Sequence, residues 1–327
     1  MNRRETVFAL LALGAPPFAV QAQQPSRVWR ISILQAGNRE TNDRFAGVPF
    51  TSRLAELGYV EGRNLVIETR YADGKLDRLP ELAAELIAVK PDLIFAPAAP
   101  ATSAAKKLTS TIPIVFCFVN DAVALGFAQS LARPGGNLSG LSNFSSAIAG
   151  KRIELLKEIV PKLHRLCAWY SPDAVNDSIE LREVELAAAR LGLAFLGLKA
   201  RNPTDYDEAG AASRKWNADA IYLTSNPTNF TNRKQIINLV AELKRPATYP
   251  TTLFVEDGGL MSYSVKFQAL ARQAADYADR ILRGANPGDL PIEQPTKLEL
   301  AINLKTAKAT GITFPQSVLL RADEVIQ

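Results

Sequence analysis

Histidine is nearly absent from this sequence, and cysteine is scarce: one His and two Cys in 327 residues. A lone histidine and two separated cysteines cannot build a His/Cys metal cluster, so no metal site is expected. His164 follows Pro161 at the start of a strand-like run. No cysteine lies near it in sequence, and it reads as a surface residue rather than a general base. Cys117 and Cys167 sit in the apolar runs IVFCFV and LCAWY, where buried free thiols are expected. Glycine signatures for phosphate or nucleotide are missing as well. There is no G-x-S-x-G elbow, no P-loop, and no G-x-G-x-x-G after the first strand-like run. Catalytic residues and cofactors are therefore expected to be none.

Charge is scarce in blocks. No basic run exceeds two residues, Lys106-Lys107 among them, and the formal net charge is +5. A scattered surplus bears on solubility and gives no nucleic-acid footprint. Acidic pairs occur at Asp73 with Asp77, Glu81 with Glu85, and Glu256-Asp257. Such spacings suit solvated helix faces and turns, and they identify no glycosidase pair.

Long apolar runs are missing too. Thr6–Val20 is mostly apolar, but Gly14 and Pro16-Pro17 break it, and it is too short to span a bilayer. Arg3-Arg4 precede it, and Val20-Gln21-Ala22 follow with small residues at −3 and −1. That is an export signal over residues 1–22, cleaved near Ala22. A periplasmic location follows, with about 305 residues left in the mature chain. Either the general secretory or the twin-arginine route fits the leader.

The rest alternates short β-branched runs with amphipathic segments. Strands are expected at Val28–Gln35, Leu65–Tyr71, Leu93–Ala96 and Ile112–Val119. Helices are expected at Phe45–Leu57, Leu76–Val89 and Thr102–Leu108. The rhythm resumes with strands at Arg165–Tyr170, Leu193–Leu198, Ala220–Thr224 and Thr251–Val255. Between them lie helices at Ser178–Leu191, Tyr206–Trp216 and Arg233–Leu243. Repeated β-α units indicate an α/β fold of two Rossmann-like, doubly wound parallel-sheet lobes. The expected first lobe is 27–141 plus about 263–297, and the second is 142–262 plus about 298–327.

In such sheets, ligands lie outside the carboxyl ends of the strands. The loops there nominate Gln35, Ala36, Gly37 and Asn38, then Ala98, Ala99 and Thr102, then Asn120 and Asp121. The second block adds Tyr170, Asn176, Ser225, Asn226 and Glu256. A helix opening near Thr102 offers free N–H groups and a positive dipole end to a carboxylate. Trp169, Tyr170 and Tyr263 are candidates to stack on an apolar part.

The whole chain resembles the periplasmic substrate-binding proteins of ABC importers, in the subfamily with tryptophan- and tyrosine-binding members. The residues that carry the likeness are IPIVFCFVNDAVALGF at 112–127, SLARPGGNLSGLS at 130–142 and DAIYLTSN at 219–226. The most specific is ILRGANPGDLPIEQPTKLELAINLKTAKATGI at 281–312. The resemblance implies a type I periplasmic binding fold with three crossover segments, a small-molecule ligand in the cleft, hinge closure, and an ABC permease as partner. It does not imply catalysis, and a monomer is expected. The ligand implied is small and organic, an amino acid or another carboxylate. Two positions depart from the family: Ala122 stands where it commonly has proline, and Asn226 where it often has an acid. The competing expectation is an exported α/β enzyme acting through a carboxylate such as Asp121 or Glu256.

Overall fold

Short runs of apolar and β-branched residues, closed by Gly, Pro, Asn or Asp, form the strands. The computed structural model describes residues 27–327 except Phe144 and Thr296. The expected export signal lies outside the described residues. The first sheet holds β1 (Trp29–Gln35), β2 (Leu65–Tyr71), β3 (Leu93–Phe95), β4 (Ile114–Val119) and β5 (Leu138–Ser142). Its order is β2-β1-β3-β4-β5, and every pair is parallel. β3 and β4 are wholly buried, as continuous runs such as IVFCFV require in a sheet covered on both faces.

The second sheet holds β6 (Arg165–Tyr170), β7 (Ala194–Lys199), β8 (Ala220–Leu223), β9 (Ala247–Tyr249), β10 (Met261–Val265), β11 (Leu298–Asn303) and β12 (Glu324–Ile326). Its order is β12-β11-β10-β9-β8-β6-β7. All pairs are parallel except β10 with β11. The chain leaves this sheet after β10, builds a helix on the other lobe, and returns from that side. β11 therefore runs against β10.

That helix, Phe267–Leu282, buries Leu270, Ala271, Ala274, Ala278 and Ile281, one stripe at helical spacing. The stripe packs with Ile31, Ile33, Phe50 and Phe95 in the first lobe's core. Between the two sheets the chain passes three times: after Ser142, after Val265, and between Glu293 and Leu298. Glu293 is bridged to Leu141 beside the first passage.

Three local features differ from the sequence reading. Thr251–Val255 is not a strand; Ala247–Tyr249 is, and Thr252–Glu256 is a helix. Pro250 lacks the N–H that would continue the ladder, and Gly258-Gly259 end the apolar run. The helix expected from Thr102 begins at Ala99. Pro100 lies in its first turn, where no donor is needed. The helix before Gly58 starts at Arg39 and contains a π-helical turn, Asp43–Gly47. Pro49 follows that turn, and its ring would clash with the carbonyl four residues back; the wider turn relieves this.

Candidate functional site

The carboxyl ends of both sheets face a cleft between the lobes, and the loops there build its walls. Gly37, Thr41, Asn42, Phe45, Pro97, Ala98 and Phe118 come from the first lobe. Asn176, Ser225, Asn226, Pro227 and Phe230 come from the second, and Phe267 from the returning helix. The cavity measures about 500 Å³, its solvent-filled mouth included.

Four phenyl rings make the apolar wall. Phe45 meets Phe230 edge-on across the lobes at 5.3 Å between centroids. Phe267 lies 4.5 Å from Phe118, 5.6 Å from Phe45 and 5.9 Å from Phe230. At these separations the rings touch one another and present a continuous surface.

Two non-glycine residues on this wall have strained backbones. Phe118 sits at φ 60°, where the β4–β5 register shifts, and Ala98 at φ 71°, ψ 144°. Each such conformation costs about 1–3 kcal/mol and persists where surroundings enforce it. Ala98 is held by its N–H, which donates to the Cys117 carbonyl at 2.8 Å. The strain aims the start of helix Ala99–Leu108 at the cleft.

A second helix, Val175–Arg190, also opens on the cleft, with Asn176 in its first turn. Asn176 is buried, and its side-chain oxygen has no partner. Behind it a polar network carries the second lobe's loops. Asp177 Oδ2 accepts from Ser171 N, Thr224 Oγ1 and Asn226 Nδ2 at 2.7, 2.8 and 2.6 Å. Burial, reinforced by the neighbouring Glu180, pushes the Asp177 carboxyl up to about 8. Glu180 takes the Ser225 N–H at 3.0 Å, the Tyr222 hydroxyl at 2.8 Å and the fully buried Arg152 at 2.9 Å. Arg152 also donates to the carbonyls of Tyr263 and Pro250 and to Ser145. The network therefore ties the cleft loops to two of the three passages between lobes.

Ionic contacts join the lobes beside the cleft. Arg233 pairs with Asp257 of its own lobe at 2.5 Å and reaches Thr41 Oγ1 at 2.6 Å and Glu40 at 2.9 Å across the gap. Lys234 meets Glu40 at 3.3 Å, and Arg44 pairs with Glu256.

Of the residues nominated from sequence, Gly37, Ala98, Asn176, Ser225 and Asn226 line the cleft together. The others lie elsewhere. Thr102 donates its hydroxyl to the carbonyls of Ala96 and Ala98, at 2.8 and 3.0 Å, so it braces the loop and is not free for ligand. Asn38 accepts the Thr41 N–H as a helix cap, and Asp121 accepts those of Val123 and Ala124 in a turn. Asn120 accepts the Ser145 N–H. Ala36 and Ala99 are packed in the first lobe's other core cluster. Gln35 is buried and lines a separate recess with Asp43 and Gly47. The Tyr170 ring lies against β7 at Gly197.

Trp169 does not face the cleft. It is fully buried and donates to Ser213 at 3.0 Å. Glu256 lines a neighbouring acidic recess with Glu299, Glu324, Lys266 and Thr251. Phe45 and Phe267 wall both spaces. The four phenylalanines went unnoticed in the sequence, where each stands in an ordinary core-like context.

The family model described as ABC transporter substrate binding protein matches residues 44–326. The chain belongs to this family. The substrate-binding protein is 27% identical over 260 residues to the tyrosine-binding protein of Clostridioides difficile, covering 80% of this chain and 74% of that one. A conserved domain protein from Vibrio cholerae superposes with a TM-score of 0.87 at 29% identity, over 91% of this chain and 100% of the other. The L-Trp complex of an ABC domain from Streptococcus pneumonia superposes with a TM-score of 0.85 at 25% identity, with the same coverage. The fold is the two-lobed type I periplasmic binding fold. Among the described residues, no helix is long and apolar enough to cross a membrane.

Proposed function

We propose that this substrate-binding protein is the extracytoplasmic receptor of an ABC importer. It takes a small organic ligand with a carboxylate and an apolar body into the cleft and presents the closed form to a membrane permease. The observation that carries the reading is the composite wall: Phe45, Phe118, Phe230 and Phe267 come from four chain segments and meet between the lobes. A ligand touching both lobes biases the equilibrium towards closure. The names of the tyrosine-binding relative and the L-Trp complex support an amino-acid-sized ligand. The leader supports periplasmic placement, and a cleft complete within one chain supports action as a monomer.

The carboxylates that an enzyme reading would use are otherwise engaged. Asp121 closes a turn and Glu256 pairs with Arg44. A thermal-shift screen of amino acids, aromatic acids, nucleosides and sugars tests the receptor reading. One class should raise the melting temperature, by the equivalent of about 2.7 kcal/mol at 100 times its dissociation constant. Absence of any shift, with no ligand carried through purification in native mass spectra, would overturn it.

A further inference from the structure

The acidic recess beyond the Phe45 and Phe267 rings has no part in the receptor reading. It measures about 530 Å³, its open mouth included. Glu299 of β11 stands opposite Ser264, and Glu324 of β12 stands beside Ala301. Positions 299 and 301 are two apart on one strand, so both carboxylates stand on the same face of the sheet. Glu256, at the end of helix Thr252–Glu256, adds a third.

Two cations answer these three acids. Arg44 pairs with Glu256, and Lys266 reaches Glu299 at 3.3 Å with most of its side chain in solvent. Glu324 has no ion-pair partner among the described residues. Burial, then the charges of Glu256 and Glu299, hold its carboxyl above its usual value, and Lys266 offsets them only in part. One negative charge is left over in the recess.

Water and salt could satisfy an acidic surface alone, but Thr251 adds an independent observation. It is about 2% exposed, it lines the recess, and its Oγ1 has no hydrogen-bond partner. It stands at the N-cap of helix Thr252–Glu256, where a threonine hydroxyl ordinarily accepts a first-turn N–H, and it makes no such bond. A buried hydroxyl without a partner is costly, and this one is free to accept from a donor in the recess.

The arrangement also discriminates among cations. Among the described residues, no group of three or more His, Cys, Asp or Glu side chains could hold a metal ion. Leu253, Val265 and the Phe45 and Phe267 rings put apolar wall beside the acids. We propose that this recess is a second binding site, separate from the cleft, for a primary alkylammonium. The ammonium sits among Glu299, Glu324 and Thr251 Oγ1, and its methylenes lie against the apolar wall. Its single charge matches the one left over, and its N–H groups supply the donor that Thr251 lacks.

Calorimetric titration of the full mature protein with butylammonium, at fixed ionic strength, tests this. One saturable site per chain is expected. Butan-1-ol, which keeps the chain and loses the charge, should bind at least about tenfold more weakly. Tetramethylammonium, which keeps the charge and cannot donate, should bind at least about threefold more weakly. Glu324→Gln, on the exposed edge strand β12, should weaken butylammonium at least about tenfold, the size of one charged hydrogen bond. Thr251→Val should weaken it about threefold or more. Should Thr251→Val fail to fold, Glu324→Gln and tetramethylammonium decide. Calcium at equal concentration should leave butylammonium bound.

No saturable binding, unchanged affinity in Glu324→Gln, or displacement by calcium would overturn the proposal. The receptor reading would stand in each case, because its own test is the cleft ligand.

Discussion

Asp177 is a fully buried carboxyl whose ionisation bears directly on this protein's stability. Its folded-state value of about 8 lies well above the ordinary carboxylate value near 3.8, chiefly because it is buried. Below about pH 4 both folded and unfolded forms hold the proton, and the group costs nothing. As pH rises through 4 to 8, the unfolded chain releases the proton first, so folding loses stability on the order of a few kcal/mol. Asp177→Asn keeps an oxygen for the three donors on Oδ2 and puts the amide at Oδ1, which has no partner. Urea denaturation should show the variant gaining on the wild type between pH 4 and 8, and no gain at pH 3.5. Arg152 behaves oppositely, because it is the stranded partner that costs. Arg152→Met leaves Glu180 buried without its cation and should lose about 3–5 kcal/mol in the same measurement. At Ala98 the strain argues for a gain. Ala98→Gly relieves about 1–3 kcal/mol of backbone strain and adds about 0.5–1 kcal/mol of unfolded-chain entropy. The denaturation midpoint should rise by roughly 1 kcal/mol equivalent if Ala98 is held there by its surroundings.

At the scale of elements, β4 and β5 depend on one missing side chain. A Cβ on Gly140 would lie 2.0 Å from the Phe116 carbonyl oxygen. Backbone cannot yield as a flexible side chain can, so Gly140→Ala should separate the strands. Hydrogen exchange should accelerate at Ile114–Val119 and Leu138–Ser142 while β6–β9 keep their protection. Much of this level was legible in the chain. Leu79, Leu82, Ala83 and Leu86 repeat at helical spacing and do form a buried stripe. IVFCFV reads as a buried strand and is one. The mistakes fall where two signals compete. TTLFVE is apolar enough for a strand, but Pro250 before it and Gly258-Gly259 after it make it a helical turn. Thr102 has the hydroxyl of a ligand donor, yet the carbonyls of Ala96 and Ala98 use it. The phenylalanine wall could not be read at all. Phe45, Phe118, Phe230 and Phe267 share no local pattern, and long-range folding alone brings them together. The small and amide residues of the loops, Gly37, Ala98, Asn176, Ser225 and Asn226, were legible because strand ends in an α/β sheet have a fixed relation to the cleft.

Across the whole molecule, the lobes are joined at the cleft by groups that recognise each other rather than a ligand. Arg233 is nearly fully buried, anchored to Asp257 within its own lobe, and donates across the gap to Thr41 and Glu40. The contacts to Thr41 and Glu40 exist only while the lobes meet, so a change at either is felt in the closed arrangement. Thr41→Val keeps the shape of a buried side chain and removes the acceptor, leaving an Arg233 N–H unpaired on closure. An unsatisfied buried donor costs about 1–3 kcal/mol, so ligand affinity should fall about tenfold or more, since 1.4 kcal/mol is tenfold. Most of that loss should be in the dissociation rate, because closure follows encounter. Small-angle scattering at saturating ligand should still show a contracted form, reached at higher ligand concentration. Salt supplies an independent arm. The more exposed pairs Arg44–Glu256 and Lys234–Glu40 are screened as the Debye length shrinks from about 10 Å at 0.1 M to about 3 Å at 1 M. Affinity for an uncharged ligand should therefore weaken with salt in both the wild type and Thr41→Val. Its charge cannot be the cause, which isolates the lobe–lobe pairs. Unchanged affinity in Thr41→Val, together with a flat salt response, would mean that the ligand alone drives closure.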